Sequence, residues 1–394
     1  MSRFAAVLFV CLLGIAGQAA AKETWTLQRA VMVMRHGVRP PTKAQVLPEG
    51  VTNRAWPDWD VPFGNLTTHG AQAIARLGEF DRSAYAGLIG DGCPDVHTVR
   101  IVADTDQRTL KTAEAWASTA LPGCAPDIEH VPLDQADPRF SPFEQDKLPD
   151  AAPMLASAEA ALPTGGMAAV DAANHDRLAR LSTLLGCTGE AACNLADMST
   201  HLDAAKGRVK IDGGIDIGST AGEVLMLEYA DGKPLDQVGW GLAERDTIRD
   251  LLNLHALEFQ LVARPKAIAA FAAAPLLAEI RRGLFATDTA RLTVLVGHDS
   301  NLAYLGGALG LHWTGGDFAP DDIPPGGALV FEKWRSTAGR EVVIVRFRSQ
   351  TLDEIRNLTP LGEGASAALP QPGCGGRTAC TAGRFSAVLD QAAH

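Results

Sequence analysis

The sequence predicts an α/β fold in which helices flank a mostly parallel central sheet and a smaller α-helical domain is inserted. Three short apolar stretches, residues 27–34, 97–103 and 292–296, are typical of strands buried on both faces. The second and third stretches are followed by segments of helical composition, residues 107–120 and 301–309. Because strands that alternate with helices form parallel sheets, these segments predict the centre of the fold.

Towards the C-terminus, two predicted strands follow one another directly. Residues 328–334 and 341–348 flank a Ser-Thr-Ala-Gly turn. Two such runs joined by a short glycine-containing turn predict an antiparallel hairpin that is added to the sheet.

The middle of the chain is expected to be helical. Residues 151–207 are rich in alanine and leucine and have no strong strand signal. Ser219 or Thr220 is expected to cap a helix that runs through residues 223–229. Residues 244–263 place apolar side chains along one stripe, which predicts a further amphipathic helix.

The first residues predict export. A basic start at residues 1–3 precedes an apolar run at residues 4–16 and three small residues at 19–21. This order is that of a cleavable signal peptide, and the run is shorter than the ~20 residues that a membrane-spanning helix needs. An uncleaved anchor is the alternative. We expect a periplasmic or secreted protein that does not contact the membrane after cleavage.

These segments predict the domain organisation. The predicted parts are a signal peptide at residues 1–21, an α/β domain formed by residues 22–150 and 245–394, and a mainly helical insertion at residues 151–244. About 370 residues remain after cleavage, which suits two domains or one large domain with an insertion.

The formal net charge of −11 argues against a general nucleic-acid-binding protein. Such proteins need a basic surface to neutralise phosphates. An anionic ligand must therefore meet a local cluster of basic side chains.

Six cysteines remain once Cys11 leaves with the signal peptide, and an even number in an exported chain indicates disulfides. Closeness in sequence suggests two pairs and leaves the third, although other connectivities are allowed. The predicted pairs are Cys93–Cys124, Cys187–Cys193 and Cys374–Cys380.

A zinc site is the rival explanation for some of these cysteines. It would use Cys187, Cys193, His175 and His201. No Cys-x-x-Cys motif supports it, and the predicted compartment is oxidising, so we favour disulfides and predict no metal site.

Polar segments follow the three apolar strands. They are Arg35-His36-Gly37-Val38-Arg39 after the first, Asp104-Thr105-Asp106-Gln107-Arg108 after the second, and Gly297-His298-Asp299 after the third. Because ligand sites of open α/β sheets form beyond the carboxyl ends of the strands, we expect these segments to meet in one crevice.

The arginines of this crevice suit a phosphate monoester. Guanidinium groups match the planar arrangement of phosphate oxygens, so Arg35, Arg39 and Arg108 are expected to bind the phosphate and stabilise its transition state. Their positive charge also disfavours a protonated histidine. His36, which lies between two of these arginines, is therefore the expected nucleophile.

The remaining side chains complete a hydrolysis reaction. Asp299 is expected to protonate the leaving alkoxide and then to activate the water that cleaves the phosphohistidine. His298 is a further expected hydrogen-bond donor to phosphate. No step requires a metal or another cofactor, and the only expected partner is a small anionic phosphomonoester.

Each of these features has an ordinary structural explanation when it is taken alone. An Arg-His pair after a strand is commonly a capping or packing feature, His298-Asp299 could form a hydrogen-bonded turn, and Arg108 could be a surface residue. Together, at three strand ends and with complementary chemistry, they favour a catalytic site.

The chain resembles the histidine acid phosphatases, a branch of the histidine phosphatase superfamily. Their signature is Arg-His-Gly-x-Arg-x-Pro with a distant His-Asp, which residues 35–41 and 298–299 match in full. The resemblance is closest to the bacterial periplasmic phytases and glucose-1-phosphatases. It implies a phosphohistidine at His36, acid catalysis by Asp299 and a cleft between an α/β and a helical domain.

The resemblance also implies accessory residues. Lys43 matches a lysine that contacts outlying phosphates in the bacterial phytases, and its alternative is an ordinary solvated lysine. Glu223, His255 and Arg264 resemble pocket positions, although a helix-surface carboxylate, a core histidine and a helix-end arginine are their ordinary explanations. From its place after the second strand, Asp104 is expected to accept a hydrogen bond from an arginine and to orient it.

Lys43 favours a phytase-like enzyme that acts on myo-inositol hexakisphosphate. Glucose-1-phosphatases tend to have asparagine in place of Gly37 and to lack this lysine, so a glucose-1-phosphatase or a broad sugar phosphatase is the first alternative. A catalytically silent phosphate-ester-binding protein is a second. A metallophosphatase is a third, and it would need clustered metal ligands that the sequence does not show.

Overall fold

The computed structural model describes residues 23–393, so the predicted signal peptide lies outside the described residues. Within them, the strands are β1 (Trp25–Arg35), β2 (Val99–Ala103), β3 (Ile128–Glu129), β4 (His201–Ala205), β5 (Arg208–Asp212), β6 (Leu292–Gly297), β7 (Ala328–Ser336), β8 (Glu341–Arg348), β9 (Ser366–Ala368) and β10 (Ala379–Thr381). The α-helices are α1 (Thr68–Ala84), α2 (Ala86–Ile89), α3 (Gln107–Ala120), α4 (Ala151–Glu159), α5 (Gly166–Leu184), α6 (Gly214–Ala230), α7 (Arg245–Val262), α8 (Lys266–Phe285), α9 (Asp299–Leu309), α10 (Leu352–Asn357) and α11 (Ala382–Ala392).

The large sheet has the strand order β10-β8-β7-β1-β6-β2-β3, and β9 pairs with β8. The pairs β1–β6, β6–β2 and β2–β3 are parallel. The pairs made by β7, β8, β9 and β10 are antiparallel. The predicted α/β fold is thus confirmed, but the expectation of a mostly parallel sheet holds only in part, because parallel pairing is confined to β1, β6, β2 and β3. The predicted hairpin supplies β7 and β8, and further C-terminal strands extend the antiparallel part.

The register of the parallel strands brings their carboxyl ends level with one another. Arg35 at the end of β1 lies opposite Gly297 of β6, and Ala103 at the end of β2 lies opposite Val296. The chain therefore leaves all three strands at the same edge of the sheet, which is where the predicted polar segments begin.

Side chains of β1 alternate between two hydrophobic layers. Met32 and Met34 face a layer that contains Trp116 of α3. Val31 and Val33 face the opposite layer, which contains Leu276 of α8. Because both faces are covered by helices, the buried part of β1 is apolar from Ala30 to Met34, as the sequence predicts.

A second hydrophobic core holds the helical part together. Its members come mainly from α5, α6 and α7. The sequence predicts the end of the insertion at residue 244, whereas the packing of α7 against α6 favours including α7 with the helical part. The domain division remains a prediction.

The helix α6 begins earlier than predicted. It starts at Gly214, after Gly213 at the N-cap, so Ser219 and Thr220 lie inside the helix and do not cap it. The side chain of Ser219 instead donates a hydrogen bond to Glu258 of α7. The two helices thus bury a polar contact that composition alone does not reveal.

The strands β4 and β5 form a hairpin where no strand was expected. Their turn consists of Lys206 and Gly207, both of which have positive φ values, 52° and 72°. Such turns fit the twist of two-residue hairpins. The strands were missed because lysine is an unusual residue at the first of these positions.

The three predicted disulfides are present. Cys93 is bonded to Cys124, Cys187 to Cys193 and Cys374 to Cys380.

Across residues 23–393, no single helix combines the length and the apolarity needed to cross a membrane. Only α7 and α8 taken together reach that length and apolarity, and a bend of 90° separates them.

Candidate active site

The predicted polar segments meet beyond the carboxyl edge of the parallel strands. The backbone N–H of His36 donates to the carbonyl of Gly297, at 2.9 Å, which ties the first segment to the third. The rings of His36 and His298 face each other edge-on, with centroids 5.7 Å apart. Arg108 enters from the first turn of α3, where its guanidinium lies 3.4 Å from Nδ1 of His298.

His36 is held in one tautomer. Its Nδ1 lies 2.8 Å from the carbonyl oxygen of Gly37, so Nδ1–H donates and Nε2 keeps its lone pair. The side chain is 2 % exposed. Burial and the positive charges of Arg108, Arg39 and Arg35 hold the pKa of His36 well below its usual value. A neutral imidazole with an available Nε2 is the form that can attack phosphorus.

Gly37 sits in a space with no room for a side chain. A Cβ atom at this position would lie 2.8 Å from side-chain atoms of both Leu66 and Ile74. Its N–H donates to the hydroxyl of Thr112, at 3.0 Å. The carbonyl that fixes His36 is therefore itself packed in place.

Arg35 joins the two parts of the molecule. Its guanidinium is completely buried and lies 2.5 Å from Oε1 of Glu223 on α6 and 2.9 Å from Oδ2 of Asp299. It also donates to the carbonyl of Ile323, at 2.5 Å. Three acceptors thus fix the orientation of this arginine.

Glu223 also contacts a second arginine. Its Oε1 lies 3.3 Å from the guanidinium of Arg39. Burial opposes ionisation of Glu223, but the charges of Arg39 and Arg35 outweigh it and lower the pKa of this carboxyl. The helical part thereby supplies one negative charge that holds two arginines beside His36.

Asp299 is the first residue of α9, and Oδ1 accepts a hydrogen bond from the N–H of Ser300. Burial opposes its ionisation, but the charges of Arg35, His255 and Arg39 prevail and hold its pKa well below the usual range. Asp299 is therefore ionised when no anion occupies the cleft.

His298 is oriented by the carboxylate of Asp104. Its Nε2 lies 2.7 Å from Oδ2 of Asp104. Asp104 was expected to accept from an arginine, and that expectation was wrong. Arg108 instead pairs with Asp106, at 2.6 Å, because that carboxylate lies only two residues before it in the chain. Asp104 orients His298 and leaves its Nδ1 facing Arg108.

His255 is buried beside Glu223 and Asp299. Its Nδ1 lies 2.7 Å from Oδ1 of Asp322. Although burial favours the neutral ring, Asp322 and Glu223 raise the pKa of His255 to about 9. The resulting imidazolium is one of the charges that keep Asp299 ionised.

Lys43 is exposed at the mouth of a cleft of ≈ 600 Å³. Arg39 and Glu223 line the same cleft, which therefore extends from Lys43 to the arginines beside His36. Asp216 lines it as well.

Arg264 does not line this cleft. Its guanidinium donates to the carbonyl of Leu311, at 2.6 Å, and lies 5.2 Å above the ring of Trp313. It also lies 3.7 Å from Asp321. These are the contacts of an arginine that packs α8 against the loop after α9.

Two groups of potential metal ligands occur here, and both contain charges that are already paired. Asp104, Asp106 and His298 form one group, beside the positive charge of Arg108. Glu223, His255 and Asp299 form the other, in which Arg35 binds both carboxylates. Arginines at these positions suit an anionic ligand better than a cation.

Sequence reasoning missed Asp106 and Asp322 as partners within the site. Asp106 lies two residues before Arg108, and this spacing in the sequence could have indicated the ion pair between them. Asp322 precedes the Ile323 carbonyl that accepts from Arg35, and nothing in its Asp-Asp-Ile-Pro context distinguishes it from a turn residue.

Residues 26–162 and 263–349 match the family model of the histidine phosphatase superfamily (branch 2). These segments contain the predicted nucleophile, the predicted acid and the predicted phosphate-binding residues, which are His36, Asp299, Arg35, Arg39, Arg108 and His298. Glu223 and His255 lie between them, in the helical part.

Curated relatives span nearly the whole chain. Phytase AppA of Escherichia coli K12 is 34% identical over 93% of this chain and 92% of its own. A glucose-1-phosphatase of Salmonella typhimurium is 31% identical over 98% of both chains. Among solved structures, Hafnia alvei phytase in complex with myo-inositol hexakis sulphate is 32% identical, with a TM-score of 0.85 over 94% of this chain and 98% of that one. The chain belongs to the histidine phosphatase superfamily, branch 2.

Proposed function

We propose that this protein is an acid phosphatase that hydrolyses phosphate monoesters through a covalent phosphohistidine on His36, with Asp299 as the proton donor. One observation carries the proposal. Nε2 of a buried, neutral His36 is available in a cluster that contains three arginines and an aspartate.

The first half-reaction transfers the phosphoryl group. Arg35, Arg39 and Arg108 bind the phosphate oxygens and spread their charge. Nε2 of His36 forms a bond to phosphorus while the bond to the ester oxygen breaks. Asp299 gives its proton to that oxygen, and the alcohol leaves.

The second half-reaction restores the enzyme. Asp299, now a carboxylate, takes a proton from a water molecule whose oxygen attacks phosphorus. The bond between phosphorus and Nε2 breaks, orthophosphate leaves, and Asp299 is again protonated. The sum of the two steps is hydrolysis of one ester bond.

Asp299 must hold a proton in the substrate complex, although it is ionised in the empty cleft. A bound phosphate places negative charge among the same arginines that lower its pKa. Like charge raises the pKa of a carboxyl group. Substrate binding therefore loads Asp299 with the proton that it later donates.

Substrate preference of the phytase type has independent support. The cleft of Lys43 adds a second cation near Arg39, which suits a substrate with several phosphates. The relatives include phytases as well as glucose-1-phosphatases. Glucose 1-phosphate is the alternative substrate, and it would leave Lys43 unused.

Export to the periplasm completes the proposal. The three disulfides need an oxidising compartment to form. Residues 1–21 supply the proposed cleavable signal.

A direct test is turnover of p-nitrophenyl phosphate at about pH 5, in the presence of a chelator. We expect full activity in the wild type and none in His36→Ala, with His175→Ala as the control for an exposed histidine. Rapid quenching into alkali, in which the bond between phosphorus and the imidazole nitrogen survives, should trap labelled phosphate on the wild-type chain only. A protein that binds phosphate without turnover would be the silent binder.

A substrate panel decides the preference. Rates on myo-inositol hexakisphosphate and glucose 1-phosphate are compared under identical acid conditions. A rate on glucose 1-phosphate that far exceeds the rate on the hexakisphosphate would establish the alternative.

A further inference from the structure

A second, smaller pocket adjoins the catalytic group. It has a volume of ≈ 170 Å³, and Arg108 and His298 form part of its wall. It shares no lining residue with the cleft of Lys43. At ~30 Å³ for each water molecule in the liquid, the pocket holds roughly six waters. That space accommodates a phosphate-sized group.

Arg208 of β5 lines this pocket from the helical part. Its guanidinium lies over the ring of Phe143, 5.4 Å from the ring centroid. Within residues 23–393, no carboxylate lies within ion-pair distance of this guanidinium. Because stacking on an aromatic ring leaves the N–H groups at the guanidinium edge available, Arg208 can still bind an anion.

Three hydroxyl-bearing residues line the same pocket, Ser141, Ser300 and Tyr304, and the last two lie on α9. Ser300 follows Asp299 in the chain, and Tyr304 lies one turn later on α9. Burial raises the pKa of Tyr304 to about 12, while the charge of Arg208 acts in the opposite direction. The phenol is therefore a hydrogen-bond donor at every pH at which the enzyme would work, and Arg208 lies close enough to affect it.

The acidic residues of the pocket do not cancel these donors. Asp106 is already paired with Arg108, at 2.6 Å. Glu144 is exposed at the rim, and it is the one further carboxylate that lines the pocket.

We infer that Arg208, together with the hydroxyl groups of Ser300 and Tyr304, binds a second phosphate group of a polyphosphorylated substrate. The first phosphate, which is cleaved, lies at His36. Lys43 and Arg208 then contact outlying phosphates from two separate pockets. The inference rests on the proposed phosphatase function.

The experiment compares kcat/KM on myo-inositol hexakisphosphate with kcat/KM on p-nitrophenyl phosphate, which carries one phosphate. In Arg208→Gln we expect the ratio of the two to fall about tenfold, mainly through KM, since the variant loses a charged hydrogen-bond donor to the second phosphate. Arg208→Lys should recover part of the loss. Glu144→Gln should raise the ratio, because it removes the opposing charge.

Arg335→Gln is the matched control, since Arg335 is an exposed arginine on β7 that does not line the pocket. Its ratio should match that of the wild type. A ratio that Arg208→Gln leaves unchanged, or equal losses on both substrates, would overturn the inference while leaving the phosphatase proposal intact. If the wild type hydrolyses neither substrate, the proposed function fails and the inference fails with it.

Discussion

At the scale of single residues, charge balance explains how one cleft holds a neutral nucleophile and an ionised acid. The arginines that lower the pKa of His36 also lower the pKa of Asp299. For the histidine, this shift produces the reactive form. For the aspartate, it produces the form without a proton, so the two residues are ready together only when an anion is bound.

Anion binding should therefore be accompanied by proton uptake. A bound anion would raise the pKa of His36 as well as that of Asp299, so we use the variant His36→Ala, which lacks the imidazole. In this variant we expect sulfate to bind at about pH 5 with uptake of up to one proton by Asp299. Titration calorimetry in buffers of different ionisation enthalpy measures this uptake, and sulfate itself keeps its charge in this range. The same uptake in the double variant His36→Ala with Asp299→Asn would assign the proton elsewhere.

Asp299→Asn should affect poor leaving groups most. General acid catalysis contributes ~10²–10⁴-fold, and p-nitrophenolate leaves with little need of a proton. Because kcat/KM reports transfer of the phosphoryl group to His36 and not the later attack of water, we expect kcat/KM on 2-glycerol phosphate to fall by about that factor and kcat/KM on p-nitrophenyl phosphate to fall much less. Equal losses on the two substrates would contradict the role of Asp299 as proton donor.

The pKa of His255 predicts how stability depends on pH. Because the folded pKa, about 9, exceeds the unfolded value of 6.5, the stabilisation is complete below about pH 6.5 and is lost as the pH rises through about 9. The full effect is roughly 3 kcal/mol. Urea unfolding of the wild type between pH 7 and 10 should show this decline.

The variant His255→Gln is the comparison. Its free energy of unfolding should be lower at pH 7 and should lack this alkaline decline. Parallel curves for the two proteins would show that His255 is neutral in the folded state.

At the scale of elements, the hairpin of β4 and β5 connects backbone geometry to the site, because β5 carries Arg208. The turn needs two residues with positive φ, and only one of them is glycine. Asparagine adopts this conformation more readily than lysine. The turn is thus a position where the natural residue is not the most stable one.

Lys206→Asn should raise the free energy of unfolding by ~0.5 kcal/mol. Gly207→Ala should lower it by ~1–3 kcal/mol, since the residue has a φ of 72° and a Cβ would lie 2.7 Å from Pro149. Thermal unfolding of both variants measures the two shifts. Equal shifts of the same sign would argue against the turn geometry.

At the scale of the whole molecule, the three disulfides restrict the unfolded chain and thereby stabilise the fold. Cys93 and Cys124 enclose a much longer loop than the other two pairs, with a sequence separation of 31 against 6. A longer loop removes more conformational entropy from the unfolded chain.

Replacing Cys93 and Cys124 with serine should therefore cost about 3–4 kcal/mol of unfolding free energy, and replacing Cys187 and Cys193 about 2 kcal/mol. Denaturant unfolding of the two double variants gives the comparison. A larger loss for the short loop would mean that native-state contacts, and not loop length, dominate.

Much of the candidate site could be predicted from the sequence, because most of its side chains belong to short segments that directly follow strands. The strand ends at Arg35 and Gly297 are level, so residues near in sequence to those ends become near in space. The sequence could not predict contacts that need the helical part. Glu223 of α6 contacts Arg35 across a sequence separation of 188, and Asp104 pairs with His298 and not with an arginine.

The close packing around Gly37 limits how this enzyme can evolve towards another substrate. A side chain at residue 37 would alter the cleft directly beside the nucleophile, yet Leu66 and Ile74 occupy the required volume. A single mutation there would displace α1 before it changed specificity. Mutational routes to a new substrate preference should therefore begin with smaller residues at 66 and 74. Natural homologues with a side chain at the position of Gly37 should have smaller residues at the positions of Leu66 and Ile74.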